Sequence, residues 1–205
     1  MNCSHPNTKL FHLCTQCGAL VEPAGPVQYF EVFGIKPRFF VDFDKIQKEF
    51  YAISRVLHPD RFHGKSNFDS ATQWFAVINK ALLTLKFPEG RAEYLFSLAH
   101  FEPPKAKIGL PPDLASEYFD LQESLEDPSL SISDKNKQMA EFSKKIEIKK
   151  LEANSARDQA FKEWEEVGAP LDKLAVPLFE RAAREINQRN YLDSMANDLK
   201  KNLEK

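Results

Sequence analysis

Glycine is scarce in this chain, with seven in 205 residues, and alternating runs of β-branched residues are few. Strand-and-turn architectures need both, so an all-α fold is predicted. No run of eighteen apolar residues exists, so the sequence offers no membrane-spanning helix. Nor is there an excess of positive charge. A net charge of −2 argues against general nucleic-acid binding, which needs a broad basic surface to neutralise phosphates. Residues 1–20 lack both a cationic start followed by an apolar core and an Arg-rich amphipathic presequence. That absence predicts a cytoplasmic protein with reduced thiols. The length allows one or two domains and a real core.

What is present centres on His58-Pro59-Asp60. Pro59 has no amide hydrogen and a fixed φ, so a helix arriving through Leu57 must end there. Before it, Phe43, Ile46, Phe50, Ile53 and Leu57 recur at steps of three and four; after it, Phe68, Ala71, Phe75, Ile78, Leu82 and Leu85 repeat the rhythm. These are the apolar stripes of two amphipathic helices, predicted to fold back as an antiparallel hairpin with the turn facing water. Lys45, Lys48 and Arg55 share the side of the first helix opposite its stripe, and Arg61 extends the positive surface past the turn. For any single lysine, a solvated helix face is the competing reading.

The arrangement, from about Tyr29 to Leu85, resembles the J-domain, the module by which co-chaperones address 70-kDa heat-shock ATPases. It includes a short aromatic first helix (Tyr29, Phe30, Phe33, closed by Gly34). The resemblance implies that His58, Pro59 and Asp60 engage the ATPase and promote hydrolysis. It also implies that Lys45, Lys48, Arg55 and Arg61 meet an acidic surface on it.

All three cysteines lie in the amino-terminal tail, as Cys3, Cys14 and Cys17, with His5 and His12 nearby. Cys14-Thr15-Gln16-Cys17-Gly18 has the spacing of a metal knuckle. Cys3 is the expected third ligand and His5 the fourth, with His12 as the alternative, and zinc is the expected metal. A tail with free thiols and a redox dithiol are the competing readings. A segment this short has no core, so without metal it should be unfolded.

Pro88 opens a further short helix through Leu98. Pro103, Pro104, Gly109, Pro111 and Pro112 then break the chain, which predicts a stiff connector. Three antiparallel helices should follow. The first runs from an Asp113 N-cap to Glu126, with Leu114, Tyr118, Leu121 and Leu125 inward. The second runs from about Ser133 to Val167, with Met139, Phe142, Ile146, Ala153, Ala160 and Trp164 inward. The third runs from near Pro177 to the end, with Leu178, Ala182, Ile186, Leu192, Met195, Leu199 and Leu203 inward. Phe119, with Ala115 one turn earlier, and Tyr191 fall off these stripes. Off-stripe aromatics suggest a partner surface, or else rim residues of the core. The expected divisions are thus 1–25 metal segment, 26–98 J-domain with its following helix, 99–112 connector and 113–205 bundle.

Together the J-domain, bent connector and three-helix bundle resemble the HscB family, co-chaperones of iron–sulfur cluster assembly, over about residues 27 to 203. Matching stretches are Val27-Gln28-Tyr29-Phe30-Glu31-Val32-Phe33-Gly34, Ile78-Asn79-Lys80-Ala81 and Arg91-Ala92-Glu93-Tyr94-Leu95. No Gly/Phe-rich stretch follows the J-domain, unlike in generic J-proteins. The resemblance implies two partners, an HscA-type 70-kDa chaperone ATPase and an IscU-type iron–sulfur scaffold. The scaffold would meet the bundle near Leu114, Ala115, Ser116, Phe119 and Tyr191. Some family members carry an amino-terminal module with two Cys-x-x-Cys pairs; here the first is reduced to Cys3-Ser4-His5. The rival readings are a general folding co-chaperone, a metal-dependent interaction module in residues 1–25, and an enzyme using His58 and Asp60 as an acid–base pair. The last is disfavoured because Pro59 holds the pair apart and no nucleophile lies beside it.

Overall fold

The computed structural model of the protein describes residues 9–10, 13–14, 20, 25–65, 67–104 and 111–203. Among them the fold is all-α, as the composition predicts, apart from one short antiparallel pair. This pair is β1 (Lys9–Leu10) and β2 (Leu13–Cys14), with Lys9 opposite Cys14. The chain divides into two compact units between Leu95 and Phe96. That point precedes the predicted connector over 99–112, of which residues 105–110 fall outside the described residues.

The first unit holds α1 (Tyr29–Val32), α2 (Phe43–Leu57), α3 (Phe68–Lys86) and most of α4 (Pro88–Leu98). α2 starts where the Asp42 carboxylate accepts from the Lys45 amide at 3.1 Å. The chain leaves α1 through Gly34 at φ +65°, a conformation that strains any residue with a side chain. Pro88 opens α4 at a position that needs no amide. Gly90 lies so near α3 that a Cβ would sit 2.6 Å from the Thr84 carbonyl oxygen. The Tyr94 hydroxyl accepts from the Tyr29 amide at 2.8 Å, a donor that the first turn of α1 leaves open. The two rings stack with centroids 4.5 Å apart.

Phe30, Phe39, Ile46, Leu57, Trp74, Ile78, Leu85 and Leu95 form the interior of this unit. On α3 the buried row is Ala71, Trp74, Ile78, Ala81 and Leu85, which a 3.6-residue period places on one face. The expected Phe75 and Leu82 are displaced to its edge and half-buried. Arg91, also buried, donates from Nε to the Phe39 carbonyl (2.8 Å) and from Nη1 to those of Leu85 (2.7 Å) and Lys86 (3.2 Å). Its guanidinium stands 5.4 Å from the Phe39 ring centroid.

The second unit is built on α5 (Pro112–Glu126), α6 (Ile132–Glu166) and α7 (Val176–Leu203). Lys149 pairs with Asp113 and Lys145 with Glu117, so α5 runs antiparallel to α6. Lys150 pairs with Asp193 and Arg181 with Glu163, which orients α7 the same way against α6. Two hydrophobic clusters result. One joins Leu114 and Leu121 with Met139, Phe142, Ile146, Leu192, Met195 and Leu199. The other is aromatic: Phe96 and Phe101 approach Phe179 at 5.0 and 5.8 Å, and Phe179 lies 5.4 Å from Trp164. The Trp164 indole N–H is satisfied by the Pro170 carbonyl at 2.8 Å. The buried Arg157 is bonded to Asp158 and Asn154.

Two expected details differ. Asp113 does not cap α5: the helix begins at Pro112, whose missing amide needs no cap, and the Asp113 carboxylate turns to Lys149 at 2.8 Å. That contact holds the Asp113 carboxyl below its ordinary range. On α7 the inward residue is Phe179, fully buried, rather than Leu178, because Ala175, Phe179, Ala182, Ala183 and Ile186 set the phase. The N-terminus of α6 is fixed by Ser131, whose hydroxyl accepts from the Asp134 amide (3.1 Å) and donates to the Asp134 carboxylate (2.7 Å). Ser131→Ala is expected to lower the stability of this unit by about 1 kcal/mol. The check is the urea midpoint followed by Trp164 fluorescence in a Trp74→Phe background.

Candidate functional site

The site is the corner between α2 and α3. α2 ends at Leu57, which is fully buried and anchors the helix end. His58 then leaves the helical region at φ −58°, ψ 127°, and Pro59–Phe62 form one 3-10 turn. Pro59 at the first position of that turn sacrifices no hydrogen bond. The Asp60 amide donates to Nδ1 of His58 at 3.3 Å, and the Arg61 amide to the His58 carbonyl at 3.0 Å. The Asp60 carboxylate lies 3.5 Å from the same Nδ1. The histidine side chain is 48% exposed and the aspartate 89%. The corner therefore presents an imidazole and a carboxylate to solvent on a short, internally bonded turn.

Lys45, Lys48, Arg55 and Arg61 are all exposed. The first three lie on α2 away from its buried Ile46 and Leu57. Arg61 also braces the helix end, since its Nη1 donates to the Arg55 carbonyl at 2.7 Å and closes one of the acceptors that α2 leaves open there. Lys65 in turn donates to the Arg61 carbonyl at 2.8 Å. Sequence periodicity assigns Phe75 to the core and misses its actual neighbour. Its ring meets the His58 ring edge-to-face, with centroids 5.2 Å apart and planes at 71°. An aromatic at a stripe's edge, level with a turn on the partner helix, is the signal that could have found it.

In the second unit Phe119 is 70% exposed on α5, Tyr191 is 37% exposed on α7, and Ala115 is half-buried. The Phe119 ring stands 6.4 Å from Tyr118, which packs on the core cluster. Leu114, expected both on the inward stripe of α5 and near the partner surface, is only 2% exposed and is a member of that cluster, so it holds α5 in place. Of the four expected metal ligands, Cys3, His5 and Cys17 lie outside the described residues, as does the alternative His12; Cys14 ends β2. No helix among the described residues is long and apolar enough to cross a membrane.

Comparison with known proteins places these elements. The DnaJ domain family matches residues 28–94, which span α1 to α3 and most of α4. The chain is 34% identical over 125 residues to the co-chaperone protein HscB of Proteus mirabilis, covering 59% of this chain and 71% of that protein. It is 28% identical over 175 residues to the co-chaperone protein HscB homolog of Neisseria meningitidis, covering 84% and 96%. The crystal structure of human co-chaperone protein HscB has the same fold. Its TM-score is 0.68 at 24% identity, over 96% of this chain and 92% of that one.

Proposed function

The chain belongs to the HscB family of J-domain co-chaperones, and from that premise we propose that it stimulates the ATPase of a 70-kDa heat-shock chaperone of the HscA type and brings it an iron–sulfur scaffold of the IscU type. Its relatives are co-chaperones and not enzymes. Stimulation here is a bias on a partner's conformational equilibrium, with no bond made or broken by this chain. The observation that carries the reading is the outward His58-Pro59-Asp60 turn with Lys45, Lys48 and Arg55 exposed on the adjoining helix. Cations beside the turn favour a partner surface of opposite sign and speed encounter with it.

The scaffold is assigned to the second unit, at Ala115, Phe119 and Tyr191. An exposed phenylalanine is expensive to leave in water and is a favoured anchor when a partner covers it. Holding scaffold and chaperone on one chain raises the local concentration of each for the other. Phe119→Ala is expected to weaken scaffold binding about tenfold, a loss of about 1.4 kcal/mol, and to leave scaffold-free ATPase stimulation unchanged. Titration calorimetry and steady-state ATPase assays read the two separately. Equal stimulation with and without the scaffold, together with an unchanged affinity in Phe119→Ala, would make the protein a general folding co-chaperone instead.

The amino-terminal segment is assigned a zinc ion held by Cys3, His5, Cys14 and Cys17. The donor set fits: three thiolates and an imidazole are soft enough for zinc and fill a closed tetrahedral site. Cys14 ends a strand of a tight antiparallel pair, three residues before Cys17. Bound there, zinc would cross-link the segment. Purified chain is expected to carry zinc at one equivalent and Cys17→Ser to lose it, by metal analysis with thiol titration. Metal-free chain with all three thiols reactive would dismiss the site.

A further inference from the structure

We propose that His58 acts as its Nε2–H tautomer and that Phe75, on α3, is the positioning residue that holds its ring. A backbone amide can only donate, so the contact from the Asp60 N–H (3.3 Å) requires a lone pair on Nδ1. Neutral imidazole carries one hydrogen, which is therefore on Nε2. The Asp60 carboxylate, 3.5 Å from Nδ1, could only accept from that nitrogen and would draw a proton to it, but it makes no hydrogen bond there, so the amide contact decides where the hydrogen sits. Among the described residues Nε2 has no hydrogen-bond partner, while the side chain remains 48% exposed. The free polar atom of the corner is thus a donor.

Phe75 supplies what the single hydrogen bond leaves open. One contact at Nδ1 permits the ring to swing about it; the edge-to-face contact at 5.2 Å fixes its plane. α3 carries the phenylalanine and α2 leads into the histidine, so the hairpin itself sets the direction in which the donor points. In the docked state the inference rests on the function proposed above. It then specifies the partner's side of the contact as an acceptor, a backbone carbonyl or a carboxylate, at the position facing His58.

The test begins on the intact chain alone. Long-range nitrogen–proton correlation NMR of the neutral His58 ring should show a pyridine-like Nδ1 and a pyrrole-like Nε2. In Phe75→Ala the ring should move toward an averaged tautomer signature, and Phe75→Tyr should restore it. In the ATPase assay Phe75→Ala should raise the half-stimulating concentration about three- to tenfold, with Phe75→Tyr recovering most of the loss. A protonated Nδ1 in the unmodified chain, which needs no variant to fold, overturns the inference and leaves the co-chaperone reading standing. An unchanged His58 signature in a folded Phe75→Ala chain overturns the positioning role. The expected tautomer with no ATPase stimulation by the unmodified chain would instead sink the proposed function.

Discussion

His58→Gln is expected to cut chaperone ATPase stimulation at least thirtyfold while scaffold affinity stays within twofold of the unmodified chain, an effect of about 2 kcal/mol confined to one of the two contacts. The reason is local. Glutamine can reach outward with an amide, but it lacks the rigid ring that accepts from the Asp60 amide and rests against Phe75. The corner loses its internal cap and the direction of its donor together. Little else should change, because the histidine side chain is half exposed and Leu57, the anchor of the helix end, is untouched. Loss of the cap costs the first unit about 1 kcal/mol, which circular dichroism and a denaturation midpoint will separate from the docking defect. Phe119 and Tyr191 belong to the other compact unit, so scaffold affinity is expected to be kept. Simultaneous loss of both activities would mean that the two contacts are not separate sites.

The features that were legible in the sequence are those fixed by short-range rules. Pro59 ends α2 wherever the hairpin sits, and Ile46 and Leu57 on α2, eleven apart, and Ala71, Ile78 and Leu85 on α3, seven apart, fall on helical repeats that declare a buried face the fold keeps. The boundaries of α5, α6 and α7 follow from Pro112, Gly168 and Pro177 to within a residue or two. What escaped was decided by phase and by distance along the chain. Trp74 and Phe75 are neighbours of similar character, and only the contact of α3 with α2 decides which one goes inside. The same holds for Leu178 and Phe179, where the inward choice depends on the aromatic cluster that Phe96 and Phe101 bring from much earlier in the chain. Leu114 was read both as inward on the α5 stripe and, by resemblance, beside Phe119; the stripe with Leu121 is the reading its burial bears out. Arg91 was seen only as part of a matching stretch. No periodicity announces that a charged residue will be buried against carbonyls up to 52 positions away.

Arg91→Ala is expected to destabilise the first unit by about 3–5 kcal/mol, because three backbone carbonyls lose their donor and each buried acceptor left unsatisfied costs about 1–3 kcal/mol. Leu85 and Lys86 lie at the end of α3, where the last carbonyls have no partner within the helix; the guanidinium fills that role for both. Its Nε simultaneously ties down the Phe39 carbonyl, and with it the loop that carries the fully buried Phe39 ring between α1 and α2. Alanine would leave these acceptors without their donor and a cavity against the Phe39 ring. A single domain holds only about 5–15 kcal/mol in total, so the loss brings the unit close to unfolding. Lysine keeps the charge but is a point donor that cannot fork across separated carbonyls, and Arg91→Lys should recover less than half. Trp74 reports on the first unit and Trp164 on the second. Urea unfolding of Arg91→Ala in a Trp164→Phe background therefore isolates the effect, and the midpoint seen through Trp164 in a Trp74→Phe chain should hardly move. A shift below about 1 kcal/mol, the size of an ordinary surface hydrogen bond, would mean that these carbonyls find other partners and that Arg91 is not the clamp.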